Sequence, residues 1–168
     1  MAGYRYGQNA VFGSGNTTEN LTGPVLVVGE DINFASGSSI NAVFIGKSHT
    51  ITEDIDNCLV NGSGSTLESG ASHSAILGGR MNKVKAGSSG MIIAGGLLGN
   101  ASSSTEANDS VILGGTANSL DGGVSDAVIG GTLNVGNGNF SDGIIMGSGN
   151  NFGCQNSNCF GDGNTLTS

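Results

Sequence analysis

Positive charge is nearly missing from this chain. Five basic residues, Arg5, Lys47, Arg80, Lys83 and Lys85, stand against thirteen acidic ones, for a net charge of −8. A nucleic-acid binder needs a basic face to neutralise phosphates, so no nucleic-acid partner is expected. Tryptophan is absent, and proline occurs once in 168 residues, too rarely for a proline-rich linker. Three cysteines are an odd count and too sparse for a disulfide scaffold. No apolar run approaches the length of a membrane span, so no membrane insertion is expected. The start, Met1 to Tyr6, lacks the apolar segment of a secretory signal.

Glycine is what the chain has in excess, with 32 residues. It follows no three-residue period, which excludes collagen. Disordered chains are charged and poor in branched aliphatics. Here only 11% of residues are charged, and short dense apolar runs separate the glycines. The length suits one domain.

The runs repeat. Aligned on the glycine that ends each one, the chain shows Gly13, Gly29, Gly46, Gly62, Gly78, Gly95, Gly114, Gly130, Gly147 and Gly161, spaced 16, 17, 16, 16, 17, 19, 16, 17 and 14 residues apart. Two residues before the anchor the side chain is always apolar: Val11, Val27, Phe44, Val60, Ile76, Ile93, Ile112, Val128, Ile145 and Cys159. The residues one and three before it are apolar in nine copies each, with Asn61 and Asn158 the exceptions. Asn often follows three or four residues after the anchor, as Asn33, Asn82, Asn118 and Asn134 do. A second, weaker apolar position comes next, held by Phe34, Ile51, Leu67, Val135, Phe152 and Leu166, with Val84 and Leu120 one residue later.

A triplet rich in β-branched residues is a short strand. Glycine allows the positive φ of a sharp corner, and Asn tolerates it best of the rest. Two strands and two corners make one coil, whose apolar side is buried only when coils stack. The expected fold is therefore all-β, a parallel β-solenoid of about ten coils, most of 16–17 residues, over residues 9–168. Strands ~4.8 Å apart give a rod of roughly 45–50 Å. Residues 1–8, with Tyr4, Arg5 and Tyr6, form a short N-terminal segment. Tyr and Arg are favoured interface anchors, so this end is expected to dock the assembly on a platform.

Side chains alternate faces along a strand. The ten residues at −2 therefore point one way, and the −1 and −3 residues the other. Both sets are apolar. One set lines the coil, and the other is too large an apolar stripe for a soluble monomer. Self-association around a symmetry axis is the expected cover.

The units Phe12-Gly13-Ser14-Gly15-Asn16, Met146-Gly147-Ser148-Gly149-Asn150 and Phe160-Gly161-Asp162-Gly163-Asn164 resemble repeats of the left-handed parallel β-roll. That fold occurs in trimeric autotransporter adhesin heads and in virion fibre and spike proteins. The resemblance covers residues 9 to 166. It implies a homotrimer, intertwined or side by side, around an apolar axis. It further implies a structural virion spike, either a capsid decoration or cement protein or a tail-fibre component, with other virion proteins and a host surface receptor as partners. An adhesin head on a bacterial cell surface is the second reading, and an ice-binding solenoid the third. Ice binding needs a flat rank of Thr, whereas Thr17, Thr50, Thr66, Thr116 and Thr132 are scattered.

Enzymatic signals are poor, and no catalytic, cofactor-binding or metal-ligating residue is assigned. His49 and His73 occupy different coil positions, +3 and −5 from their anchors. No Gly-x-Ser-x-Gly motif or metal-spaced His pair occurs. Cys154 and Cys159 are read as free thiols in preference to a disulfide between them, with Cys159 in the core. Glu30-Asp31 and Glu53, Asp54 and Asp56 read as solvated surface. Lys83 and its basic neighbours follow Glu68 by about one coil, which suggests a cross-coil charge ladder. The longest coil, Gly95 to Gly114, is expected to bulge as a loop around Ala101 to Glu106.

Overall fold

The computed structural model describes residues 3–167, apart from 7–8, 18–20, 22, 36–38, 53–54, 98–99, 103–107, 122–124 and 138–139. The chain winds as a parallel β-solenoid with two long sheets of eleven and nine strands. Successive coils contribute adjacent strands, and every pairing in these sheets is parallel except one. Gly3–Tyr6 folds back antiparallel on Asn9–Ser14 and covers the first edge. No helix occurs among the described residues. The chain makes eight full turns between the first and last of the nine strands in the second sheet, slightly fewer than the ten coils expected.

Glycine makes the first corner possible. Gly131 has φ +103, and a Cβ there would overlap the carbonyl oxygen of Gly147 in the next coil. Gly46 has φ +125 and meets Gly62 in the same way. The corner backbones thus stack closer than any side chain allows.

The −2 side chains point into the coil. Val27, Phe44, Val60, Ile76, Ile93, Ile112, Ile145 and Cys159 are all buried, while Val11 in the first coil is half-buried. Val128 lies elsewhere. Ile112 pairs with Ile129, and Val111 with Val128, so Ile129 fills the interior slot and Val128 faces outward, half-buried. The cause is a β-bulge. Val60 pairs with Ile76, but Ser63 pairs with Arg80, so the Gly78-Gly79 coil holds one extra residue. The same bulge recurs in the next two coils and ends at Gly131, which pairs with Gly115. The corner glycine of that coil is therefore Gly131 and not Gly130.

The second sheet supplies the opposite wall, with Phe34, Ile51, Leu67, Val84, Leu120 and Phe152 buried. Phe34 meets Phe44 edge-to-face, with ring centroids 5.0 Å apart. Val135 does not join this wall. Gly136 pairs with Leu120 and is the buried residue, while Val135 is half-exposed. The ring of Phe140 occupies the space, and Cβ atoms built on Gly136 and Gly143 would lie 2.7 and 2.6 Å from it.

Between the walls runs a polar ladder. The side-chain N–H groups of Asn118 donate to Gly114 O and to Gly131 O of the next coil, both at 2.7 Å. Its Oδ1 accepts from the backbone N and Nδ2 of Asn134 at 3.1 and 3.2 Å. Asn134 repeats the pattern toward Asn150, and Asn150 toward Asn164. These amides satisfy corner carbonyls that would otherwise be buried without a partner.

Candidate interaction face

The outer side of the larger sheet is the most distinctive surface of the rod. Ten strands present their −3 and −1 side chains there. The −3 column includes Leu26, Val43, Leu59, Ile92, Val111, Val128 and Ile144. The −1 column includes Phe12, Val28, Ile45, Leu77, Leu113, Met146 and Phe160. No charged residue occurs in either column. Exposure is large: 50% for Leu113 and 65% for Phe160. Ten strands ~4.8 Å apart and three residues wide make a strip on the order of 400–500 Å². That is the size of the largest apolar patch on an ordinary monomer and smaller than the sequence pattern predicts; such patches are often functional.

A second apolar group lies just past the glycine corner. Met81, Leu97 and Leu133 are all exposed, Leu133 to 59%. Met81 and Leu133 each hold φ 55. Left-handed backbone costs a residue with a bulky side chain roughly 1–2 kcal/mol, and neighbouring coils place glycine at this corner, as at Gly64 and Gly149.

The second sheet differs. Its outward columns carry Thr50, Thr66, Lys83, Ser119 and Asn151, with Glu68, Lys85 and Asp121 beside them. Thr50 and Thr66 adjoin, but Lys83 follows them, so this column is not a rank of Thr. The charge ladder is present as a Lys83–Glu68 ion pair. Burial works to raise the Glu68 carboxyl, but the Lys83 ammonium and the Ala86 N–H outweigh it and hold the group below its usual range. Lys47 and Glu30 form a second, exposed pair at 3.2 Å. Such surface pairs contribute little stability.

The remaining singled-out residues fall in several places. Tyr4, Arg5 and Tyr6 are on the covering antiparallel strand, and their side chains lie outside the described residues. Glu53, Asp54 and Ser103 to Glu106 also lie outside them, whereas Ala101 and Ser102, expected in a bulge, lie on the strand Asn100–Ser102 of the second sheet. Cys58, Cys154 and Cys159 are free. Burial pushes the Cys58 thiol up, and its Sγ donates to Ala71 O at 3.1 Å. His73 sits at an exposed corner with φ 55, its Nε2 3.3 Å from Asn57 Nδ2. His49 is buried within the Asn column. Its +3 position, shared with Asn82 counted from Gly79, was the sequence signal for that placement.

No family model, no curated protein and no solved structure matches this chain. The surface itself must therefore carry the functional reading. Among the described residues no three His, Cys, Asp or Glu side chains converge as a metal site. An open depression of about 320 Å³ at the last coil is lined by Phe152, Asn158, Cys159, Phe160, Asn164, Thr165 and Leu166. Its only ionisable side chain is the Cys159 thiol.

Proposed function

We propose that this chain is a non-enzymatic structural protein that assembles as a homotrimer through the apolar face of its larger sheet and serves as a spike on a virion. The observation that carries this reading is the uncharged apolar strip along the length of a stiff rod. Water penalises such a strip, and a second copy bears a matching one. The strip alone is smaller than the ~800 Å² per partner of a standard stable interface. Met81, Leu97 and Leu133 extend it around the corner.

The choice of three copies rather than two comes from the β-roll resemblance. Capsid decoration or a tail-fibre role, with other virion proteins and a host receptor as partners, follows from the β-roll resemblance. So does the rival reading as an adhesin head.

Size exclusion with light scattering is expected to give about 50 kDa, three times 16.5 kDa. A monomer at micromolar concentration would sink the proposal, and a stable dimer would remove the three-fold arrangement. Co-sedimentation with purified virions tests the location. Leu133→Asn sharpens the assembly test. Asn tolerates left-handed backbone, so dissociated protomers are expected to gain about 1 kcal/mol in urea. The same change removes an apolar contact and is expected to lower the trimer fraction. A trimer fraction equal to wild type would take Leu133 out of the interface.

A further inference from the structure

His49 occupies a slot that Asn fills in other coils, and it reproduces the Asn bonding with an imidazole. It is 1% exposed. Its Nε2 lies 3.0 Å from Ile45 O, four residues back, just as Asn118 and Asn134 reach the carbonyls four residues before them. Its Nδ1 lies 3.2 Å from the backbone N of Ser65 in the next coil. A carbonyl only accepts and an amide N–H only donates. Nε2 therefore carries the proton and Nδ1 does not, so this joint between coils requires the neutral ring.

Asn cannot lose this arrangement to acid, and His can. A second proton on Nδ1 would face the Ser65 N–H, donor against donor. It would also place a charge where, among the described residues, no counter-ion bonds to the ring. The charged groups on the surrounding strands and turns are Glu30, Asp31, Lys47 and Glu68, all at least partly exposed. Glu30 pairs with Lys47, Glu68 pairs with Lys83, and Asp31 is at an exposed corner. No hydrogen bond connects any of them to the ring. Cys58, the nearest buried thiol in sequence, donates to main-chain carbonyls instead.

Ser65 adds an independent observation. Its Oγ is the one buried side-chain polar atom among the described residues with no hydrogen-bond partner. Its backbone N is already committed to the imidazole, while its hydroxyl is idle. A buried hydroxyl without a partner carries an uncompensated desolvation cost, which makes this joint cheaper to open than the Asn-bonded ones.

We infer that His49 and Ser65 form an acid-sensitive joint, at which the coils on either side of it loosen below neutral pH while the Asn-locked coils stay closed. The sign follows from linkage. Burial, opposed by the Ile45 carbonyl, lowers the folded-state pKa below the usual 6.5. Between the two values the unfolded or opened state binds more protons. The contribution is complete above pH 6.5 and is lost as pH falls below it, by up to tenfold in the opening constant per pH unit. This joint does not depend on the trimer and would act equally in a monomer.

The experiment follows opening directly. Hydrogen exchange of the intact chain is measured at pH 7.5, 6.5 and 5.5, corrected for intrinsic rates. The Ser65 amide is expected to lose protection by up to about tenfold between pH 7.5 and 5.5, and the Asn134 amide at the far ladder is not. His49→Asn is expected to flatten the Ser65 response, and His73→Asn to leave it as in wild type. Ser65→Ala removes the unpartnered buried hydroxyl and is expected to raise protection at neutral pH while keeping the pH response. A histidine NMR titration on the unaltered protein covers the case in which His49→Asn does not fold. If His49 titrates at or above 6.5, or Ser65 and Asn134 lose protection in parallel, the joint does not exist.

Discussion

Phe140→Ala is expected to destabilise the rod by about 3–5 kcal/mol, read as a lower urea midpoint with an unchanged m-value. The ring fills a space that two coils leave empty. Gly136 sits in the wall column held elsewhere by Leu120 and Phe152, and Gly143 leaves a second gap. Leu120 closes on the same space from the preceding coil, with its Cδ2 3.1 Å from the Cβ position of Gly136. Nothing nearby is long enough to refill the hole, so the cavity term adds to the lost transfer energy.

The pairing of gap and ring gives a sharper test. Gly136 lacks a positive φ, so its backbone accepts a side chain, and the obstacles are Phe140 and Leu120. Gly136→Val alone is expected to destabilise by overpacking, about 1–3 kcal/mol. Added to Phe140→Ala it should restore part of the loss. Additive penalties in the double mutant would show that ring and gap are not coupled.

The second large effect separates the two sides of one strand. Ile129→Asp buries a carboxylate at a site with no exposure and no polar neighbour in its column, where Ile112 and Ile145 flank it. A loss of at least ~3 kcal/mol is expected, enough to unfold the middle of the solenoid by circular dichroism. Val128→Asp puts the same charge one residue away on the outer strip, beside Val111 and Ile144. That protomer is expected to keep its melting temperature within a few degrees while light scattering shows a shift to monomer. Equal loss of fold in both variants would contradict the two-sided strand. Soluble wild-type-like assemblies from Val128→Asp would remove the strip from the interface.

Much of this fold was legible because a solenoid is written in a local code. Val27, Phe44, Val60 and Ile76 recur at near-constant spacing, and each repeat needs only its neighbours to be interpreted. The bulges broke that code. Gly78-Gly79, Gly95-Gly96 and Gly114-Gly115 each offer two candidate corners, and Gly130-Gly131 looks the same in sequence. Only the pairing of Ile112 with Ile129 shows that the fourth doublet carries no bulge. A one-residue slip flips every side chain, which is why Val128 and Ile129 exchanged faces. The Phe140 plug was hidden for a related reason, because it lies outside the repeat and compensates for two glycines contributed by different strands.

By itself, the amino-acid sequence determined the parallel coil and the presence of two apolar sets along each strand. Those depend on side-chain period and backbone permissiveness, which are properties of short segments. Tertiary structure decided which set faces inward. The Asn ladder and the second wall claim one side of each strand, leaving Leu113, Ile45 and Phe160 outside. It also decided what His49 is. In sequence it is a lone histidine after a glycine. In the stack it is a substitute Asn, because only neighbouring coils supply the carbonyl and the amide that distinguish its two nitrogens.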